Sequence, residues 1–295
     1  MKPIVFYHKS DFDGICSAAI FDDKFGDDVE LYGLEHGCEF PWDKVSVIGF
    51  PEEELILRKV FMVDFSLNLK MMTRLSKMAD LTWIDHHATA INSMKDLELK
   101  GLRKTDRAAC ELTWMYLNED KDMPKGVTYL GVYDSWRDHG SLLWENYVVP
   151  FQYGLKGILG INNPKSPMWN LILNTNELED ICRAGKLILP YQRQQCEEIA
   201  KSRSYEVTFD GHSAVALNTP MKSSMSLESV YDANKHDLSI VYSYNGQLKT
   251  WTVSMYTTKE EIHCGDIAKK FGGGGHKGAA GMEMSTKKFL ELGFV

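Results

Sequence analysis

Imidazoles and carboxylates recur at the ends of apolar runs in this 295-residue chain. The stretch "IVFYHKSDFDG", residues 4–14, delivers His8, Asp11 and Asp13 directly after the apolar run Ile4 to Tyr7 and stops at Gly14. "KVFMVDF" brings Asp64, "DLTWIDHHATA" brings Asp85, His86 and His87, and "VTYLGVYDSW" leads an apolar stretch to Asp134. Carboxylates crowded together repel one another unless a cation lies between them. Taken singly, each stretch also reads as an Asp-rich turn with a helix cap or as a solvated strand end. Four strand ends carrying the same chemistry point instead to a shared metal site. Mixed imidazole and carboxylate donors suit manganese, iron, cobalt or zinc, whereas magnesium prefers oxygen and water. His8, Asp11, Asp13, Asp64, His86 and Asp134 are too many donors for one catalytic ion with open positions, and two ions bridged by a carboxylate fit better. Such a pair, about 3.5–4 Å apart, activates water and stabilises the oxygens of an in-line displacement at phosphorus. Asp85 beside His86 has the character of an outer partner, because a metal-bound imidazole usually donates its other N–H to a carboxylate or carbonyl.

A second element is "KKFGGGGHKGAAG", residues 269–281. Glycine runs let main-chain N–H groups approach an anion closely. A bare run would read as a flexible linker. This one is followed at once by His276, Lys277 and a segment of small residues, Gly278 to Gly281, which a linker does not need. Gly273, Gly274, Gly275 and His276 are therefore candidates for phosphate or nucleotide binding. Arg107, His36 and Trp136 stand near these motifs in the sequence. They read more simply as a surface arginine, a loop histidine and a packed wall. His139, His212, His236 and His263 have no metal-like spacing.

The elements that must position these groups alternate over the first 90 residues. "PIVFY", "VELYGL", "KVFMVDF" and "DLTWIDHH" read as strands, and "GICSAAIFDDKF" and "NLKMMTRLSKMA" as amphipathic helices. This alternation predicts a parallel sheet with right-handed crossovers, whose ligands bind beyond the carboxyl ends of the strands. "AACELTWMYLN" continues as a helix. Residues 176–204 read as one long helical segment that Pro190 should kink or break. Beyond it, "YEVTFDGHSAVALN", "DLSIVYSY" and "LKTWTVSMY" have period two, with Asp-Gly and Asn-Gly turn signals among them. The expected organisation is α/β: a parallel-sheet domain over 1–175, a linker helix over 176–204, and a smaller mixed-sheet α/β domain over 205–295.

Composition bounds the partners. The net charge is −8, from 33 basic and 41 acidic residues. That argues against coating of long duplex through a broad basic face. A small nucleotide at a metal site is still allowed, because the metal supplies positive charge. Residues 206–295 hold 9 basic and 10 acidic side chains, so the acidic excess lies with the candidate metal site. Six cysteines without a C-x-x-C pair are not a disulfide scaffold, and Cys16, Cys110 and Cys264 read as buried thiols. No signal-peptide pattern and no apolar run near 18 residues occur, which predicts a soluble cytoplasmic protein with no membrane partner.

Together, "YHKSDFDG", the Asp ending "KVFMVDF", "DHH", "VYDSW" and "GGGGHKGAAG" resemble the DHH phosphoesterase family with its DHH-associated C-terminal domain. The motifs run from residue 7 to residue 281 in the family's order. Two residues separate His8 from Asp11 where many relatives have three, and "VSMYTT" stands where many have an arginine. The resemblance implies an N-terminal DHH catalytic domain and two manganese ions, with cobalt or magnesium as substitutes in vitro. His8, Asp11 and Asp64 match the ligands of one ion. Asp13, Asp64, His86 and Asp134 match those of the other, with Asp64 bridging. It further implies that Asp85 orients His86, that His87 faces the scissile phosphate, and that His276 and its glycines hold the substrate. The implied activity is hydrolysis of short single-stranded oligonucleotides or dinucleotides to nucleoside monophosphates, as in nanoRNases. The alternatives are a single-strand DNA exonuclease, a cyclic-dinucleotide phosphodiesterase, and a nucleotide-binding regulator without turnover. The oligomeric state, a homodimer included, is left open.

Overall fold

The structure is a computed structural model, and it describes residues 1–45, 57–221 and 223–294. The chain divides into two compact units, Met1–Leu187 and Ile188–Val295. Among the described residues, no helix is long and apolar enough to cross a membrane.

The first unit is built on a four-stranded sheet of order β2-β1-β3-β4, in which β1 is Ile4–His8, β2 Glu30–Leu34, β3 Lys59–Val63 and β4 Asp80–Ile84. Every pairing is parallel. The apolar run Ile4 to Tyr7 is buried on both faces, as expected of a strand covered on each side. Val5 and Tyr7 face one core layer and Ile4 and Phe6 the other, which follows from the alternation of side chains along a strand. Helix α1, Phe12–Phe25, packs into the first layer through Ile15, Ala18 and Ala19. Helix α2, Leu69–Met78, buries Met72 and Leu75 in the second. A short α3, Ala88–Ser93, follows β4. Helices α4 (Ala109–Leu117), α5 (Lys125–Asp134), α6 (Val149–Lys156) and α7 (Pro167–Asn174) join α1 in the first layer through Leu112, Leu130, Phe151 and Trp169. Helix α8, Glu179–Arg203, runs through Pro190 without interruption, contrary to the expected break. Both Pro190 and Lys186, whose carbonyl the proline cannot bond, are exposed. Water can satisfy that carbonyl, so the missing hydrogen bond is tolerated.

The second unit carries a six-stranded sheet of order β5-β6-β7-β8-β10-β9. Its strands are β5 Tyr205–Phe209, β6 His212–Asn218, β7 Leu238–Asn245, β8 Thr250–Tyr256, β9 Gly274–Gly275 and β10 Ala279–Ser285. Only β6 and β7 pair in parallel among these neighbours. Helices α9, Cys264–Lys270, and α10, Thr286–Leu290, cover one face through Ile267, Ala268 and Phe289. The fold is therefore α/β with one parallel and one mixed sheet, as expected. Asp210 and Gly211, both at positive φ (50° and 84°), close the β5–β6 hairpin. This is the geometry an Asp-Gly pair favours in a two-residue turn. The Asn-Gly signal works differently. Asn245 Oδ1 accepts from the main chain of Gln247 (3.0 Å) and Leu248 (3.1 Å), and the left-handed residue is Lys249 at φ 56°. Cys16, Cys110 and Cys264 are buried and unbridged, as expected.

Asp237, at the start of β7, ties three segments together. It accepts from Lys259 Nζ (2.7 Å) and from the Ser213 main chain (3.0 Å). The Lys259 hydrogen bond, then that of Ser213, lowers its pKa from 3.8 to about 2. A folded-state value below the ordinary one means that this stabilisation is complete above about pH 4 and is lost as pH falls through about 2. Asp237→Asn should lower the melting temperature at neutral pH, and the gap to wild type should close in melts near pH 2.

Candidate metal centre

The register of the parallel sheet creates the site. Tyr7 pairs with Val63 and Val63 with Ile84, so the next residues, His8, Asp64 and Asp85, form one row across the carboxyl edge. Asp64 takes φ 50°, a left-handed conformation that costs a non-glycine residue about 1 kcal/mol or more. Its main-chain N–H still donates to Ile84 O at 3.0 Å. Asp11 caps α1 by accepting from Gly14 N at 3.0 Å, which puts Asp13 in the first turn. Gly14 is required there, since a Cβ would lie 2.0 Å from His8 O. Asp134 corrects the expectation of a fourth strand end. It is the last residue of helix α5, whose Val127, Leu130 and Gly131 are buried at helical spacing.

These elements bring all six predicted ligands together, with Asp85 and His87, within the first unit. His8 Nδ1 lies 2.8 Å from Asp11 Oδ2 and 3.7 Å from Asp64 Oδ2. His86 Nε2 lies 3.2 Å from Asp134 Oδ2, 3.3 Å from Asp64 Oδ1 and 3.4 Å from Asp13 Oδ2. Asp64 thus lends one oxygen to each of two donor clusters. Donors about 2.1 Å from a common ion stand about 3.0–3.4 Å apart in octahedral or tetrahedral geometry, so the second cluster already has the spacing of a ligand shell. Asp13, Asp64 and His86 are 2 %, 1 % and 1 % exposed, and the buried Asp64 Oδ1 receives no hydrogen bond of acceptable geometry among the described residues. Donor chemistry, spacing and this oxygen all fit a divalent cation.

The electrostatics agree. Burial, then repulsion from Asp64 and Asp134, pushes Asp13 well above the usual carboxylate range. Burial likewise raises Asp134 to about 6, with Asp11 and Asp64 adding to it. For Asp64, burial works upward but is outweighed by the imidazoles of His8 and His86 close to its two oxygens, which hold it well below that range. Burial also opposes protonation of His8 and His86. The neighbouring carboxylates outweigh it, carrying His8 up to about 11 and His86 well above an ordinary imidazole.

Asp85 differs from the role the resemblance implied. Its Oδ1 accepts from His87 Nδ1 (2.8 Å) and from the main chain of His86 (2.7 Å) and His87 (3.1 Å), while Oδ2 accepts from Trp83 Nε1 (3.1 Å). The imidazole it orients is that of His87, and it meets His86 at the main chain. Burial opposes the charge on His87, but Asp85 outweighs it and raises the pKa. A contact that sequence reasoning missed holds Asp13, whose Oδ2 and Oδ1 accept from the main chain of Ala109 (2.9 Å) and Cys110 (2.7 Å) at the start of α4. No local pattern signals it, because the partners are about a hundred residues apart. His36, read as a loop histidine, sits with its ring 5.2 Å from that of His8 and stacked 4.9 Å from that of Phe65. Trp136, at φ 55°, stacks on His139 at 5.1 Å and packs beside Trp144.

Gly273, Gly274, Gly275 and His276 lie in the second unit. Gly274 and Gly275 are strand β9, paired with Gly281 and Ala280 of β10. A Cβ on Gly273 would come 2.2 Å from Gly281 O, and one on Gly275 would come 2.6 Å from Ala280 Cα. Close approach of two backbones thus requires these glycines. His276 N donates to Ala279 O (2.8 Å), and His276 O accepts from Gly265 N (3.0 Å).

No family model matches the chain. An uncharacterized protein of Acanthamoeba polyphaga mimivirus is 25% identical over 303 residues, covering 97% of this chain and 68% of that one. Among solved structures, the DHH domain of a protein described as a member of a family of ribosomal proteins aligns with TM-score 0.60 and 13% identity, over 99% of this chain and 85% of that one. The exonuclease RecJ bound to manganese aligns with TM-score 0.42 and 15% identity, over 98% and 87%. The chain therefore has the fold of DHH-domain proteins, with a histidine–aspartate centre at the carboxyl edge of its parallel sheet.

Proposed function

We propose that this chain is a two-manganese phosphodiesterase that releases nucleoside monophosphates from short oligonucleotides. The observation that carries the reading is Asp64, with Oδ2 toward His8 and Oδ1 toward His86. His8, Asp11 and Asp64 would hold one ion, and Asp13, Asp64, His86 and Asp134 the other. When bound, such a pair supplies an activated water and Lewis-acid stabilisation at phosphorus. The chain's own groups do the rest. Asp85 fixes the His87 ring through Nδ1 and raises its pKa, which suits the imidazole to hold or move a proton at the substrate. The left-handed backbone of Asp64 and the main-chain grip on Asp13 help to hold the donors in place. In the second unit, Gly273, Gly274, Gly275 and His276 are assigned to the substrate's phosphates. The acidic charge balance favours short substrates over long polyanions.

The test is incubation with manganese and a panel of RNA and DNA di- to pentanucleotides, long single strands, cyclic dinucleotides and pyrophosphate. Oligonucleotides of two to five residues should be hydrolysed fastest, pyrophosphate poorly, and a chelator should stop turnover. Long strands degraded at least as efficiently as dinucleotides would turn the reading into a single-strand exonuclease. His276→Ala should lower kcat/KM on a dinucleotide by about 10²-fold with manganese content unchanged, the scale for removing one donor aimed at transition-state charge. Unaltered kinetics would leave that segment with only its part in the sheet.

A further inference from the structure

Glu111 in α4 is 1 % exposed, an unusual place for a carboxylate, and no part of the reading above uses it. Burying such a charge is costly unless it is paired and hydrogen-bonded. Its Oε2 accepts from Ala108 N at 3.0 Å and from Arg137 Nη2 at 2.5 Å, and Arg107 Nη1 lies 3.4 Å from Oε1. Arg137 Nε in turn donates to Ser135 Oγ (2.8 Å), which donates to Gly131 O (2.6 Å). The side chain fills the space that Gly131 leaves open on α5, where a Cβ would come 2.4 Å from Glu111 Cδ. Glu111 therefore joins two pieces of backbone. On one side is the start of α4, where the residues after Ala108 hold both oxygens of Asp13. On the other is the turn after α5, directly following Asp134.

We propose that Glu111, through Arg137, is a positioning residue that sets the separation of Asp13 and Asp134 and so tunes the second cluster alone. The proposal rests on the two-ion reading and assigns a role within it. The partners of Glu111 are Ala108, Arg107 and Arg137, which belong to the side of the site that holds Asp13 and Asp134. The cluster of His8 and Asp11 should therefore not depend on it. Glu111→Gln keeps the shape and, with its oxygen at the Oε2 position, an acceptor for Ala108 N and Arg137 Nη2, but it removes the negative charge paired with the Arg137 guanidinium and turns its NH2 toward Arg107 Nη1, donor against donor. Arg137→Met removes the other half of the pair.

The experiment titrates manganese calorimetrically into the full chain, with each variant placed in two backgrounds. His8→Ala leaves only the second cluster intact, and Asp134→Ala leaves only the first. In the His8→Ala background, Glu111→Gln should weaken manganese binding by about 10–100-fold, the usual cost of losing an outer partner of a metal ligand. In the Asp134→Ala background the change should stay within about twofold, and the double variant Glu111→Gln/Arg137→Met should bind no more weakly than Glu111→Gln alone by more than about twofold. Equal weakening in both backgrounds would reduce Glu111 to a general packing role, and no weakening in either would remove it from the site; both overturn the proposal. If Glu111→Gln does not fold, Arg137→Met in the same two backgrounds decides. A wild-type chain that takes up no manganese would overturn the two-ion reading itself, before any Glu111 variant is made.

Discussion

Replacing Asp64 with asparagine is expected to reduce bound manganese from about two ions per chain to less than one, and to lower kcat by about 10³-fold or more. One carboxylate oxygen serves each donor cluster, so neutralising it weakens both at once. Metal-derived transition-state stabilisation amounts to several kcal/mol, and each 1.4 kcal/mol or so is tenfold in rate. Asparagine is the cleaner variant because it tolerates the φ of 50° at this position, whereas alanine adds backbone strain. Asp64→Ala should be at least as inactive and less stable. Metal analysis of gel-filtered protein and steady-state rates on one dinucleotide check both statements. A near-normal rate for Asp64→Asn would sink the bridging role.

The second large effect is expected at the Asp85–His87 pair. Asp85→Asn should lower kcat by about 10²-fold or more while manganese content stays near two, the scale of a lost proton-transfer partner. Three N–H groups converge on Asp85 Oδ1, so the asparagine oxygen must remain there. Its amide then faces the Trp83 indole N–H, donor against donor. The indole keeps Phe65 O as an acceptor at 3.1 Å, so the group left unsatisfied is the new amide, at a cost of about 1–3 kcal/mol of stability. His87→Ala should reach a similar rate without the indole mismatch. The double variant should be hardly slower than either single one, because both remove one function. Multiplicative losses, or loss of metal in Asp85→Asn, would mean that the pair does not act as a unit.

Much of the first unit was legible in the sequence for a local reason. A parallel strand covered on both faces is a near-continuous apolar run, and charged donors gather where the strand ends, as at His8, Asp64 and Asp85. The donor set was therefore readable as a group, while strand order and register came only with the fold. Asp134 was legible as a candidate donor but not as the end of a helix, because "VTYLGVYD" is apolar enough to suit a buried strand or a buried helix. Its packing against α4 and α7 settled the matter, Gly131 meeting Glu111 and Gly126 meeting Ile172.

What only the tertiary structure decided lies beyond the reach of local patterning. Asp13 is held by amides 96 and 97 residues away, and Glu111 meets Arg137 26 residues away. Whether Asp85 orients His86 or His87 depends on how the chain turns after β4, since both imidazoles lie within two residues of it in sequence. The glycines at 273–275 look alike whether they cradle an anion or let two backbones approach; only the pairing of β9 with β10 shows the second duty. The sequence by itself determined which donors this protein possesses, because donor chemistry belongs to the residue type. The tertiary structure decided which donors lie together in each cluster and what holds them, because spacing and electrostatic partners are set by segments that meet only when the chain folds.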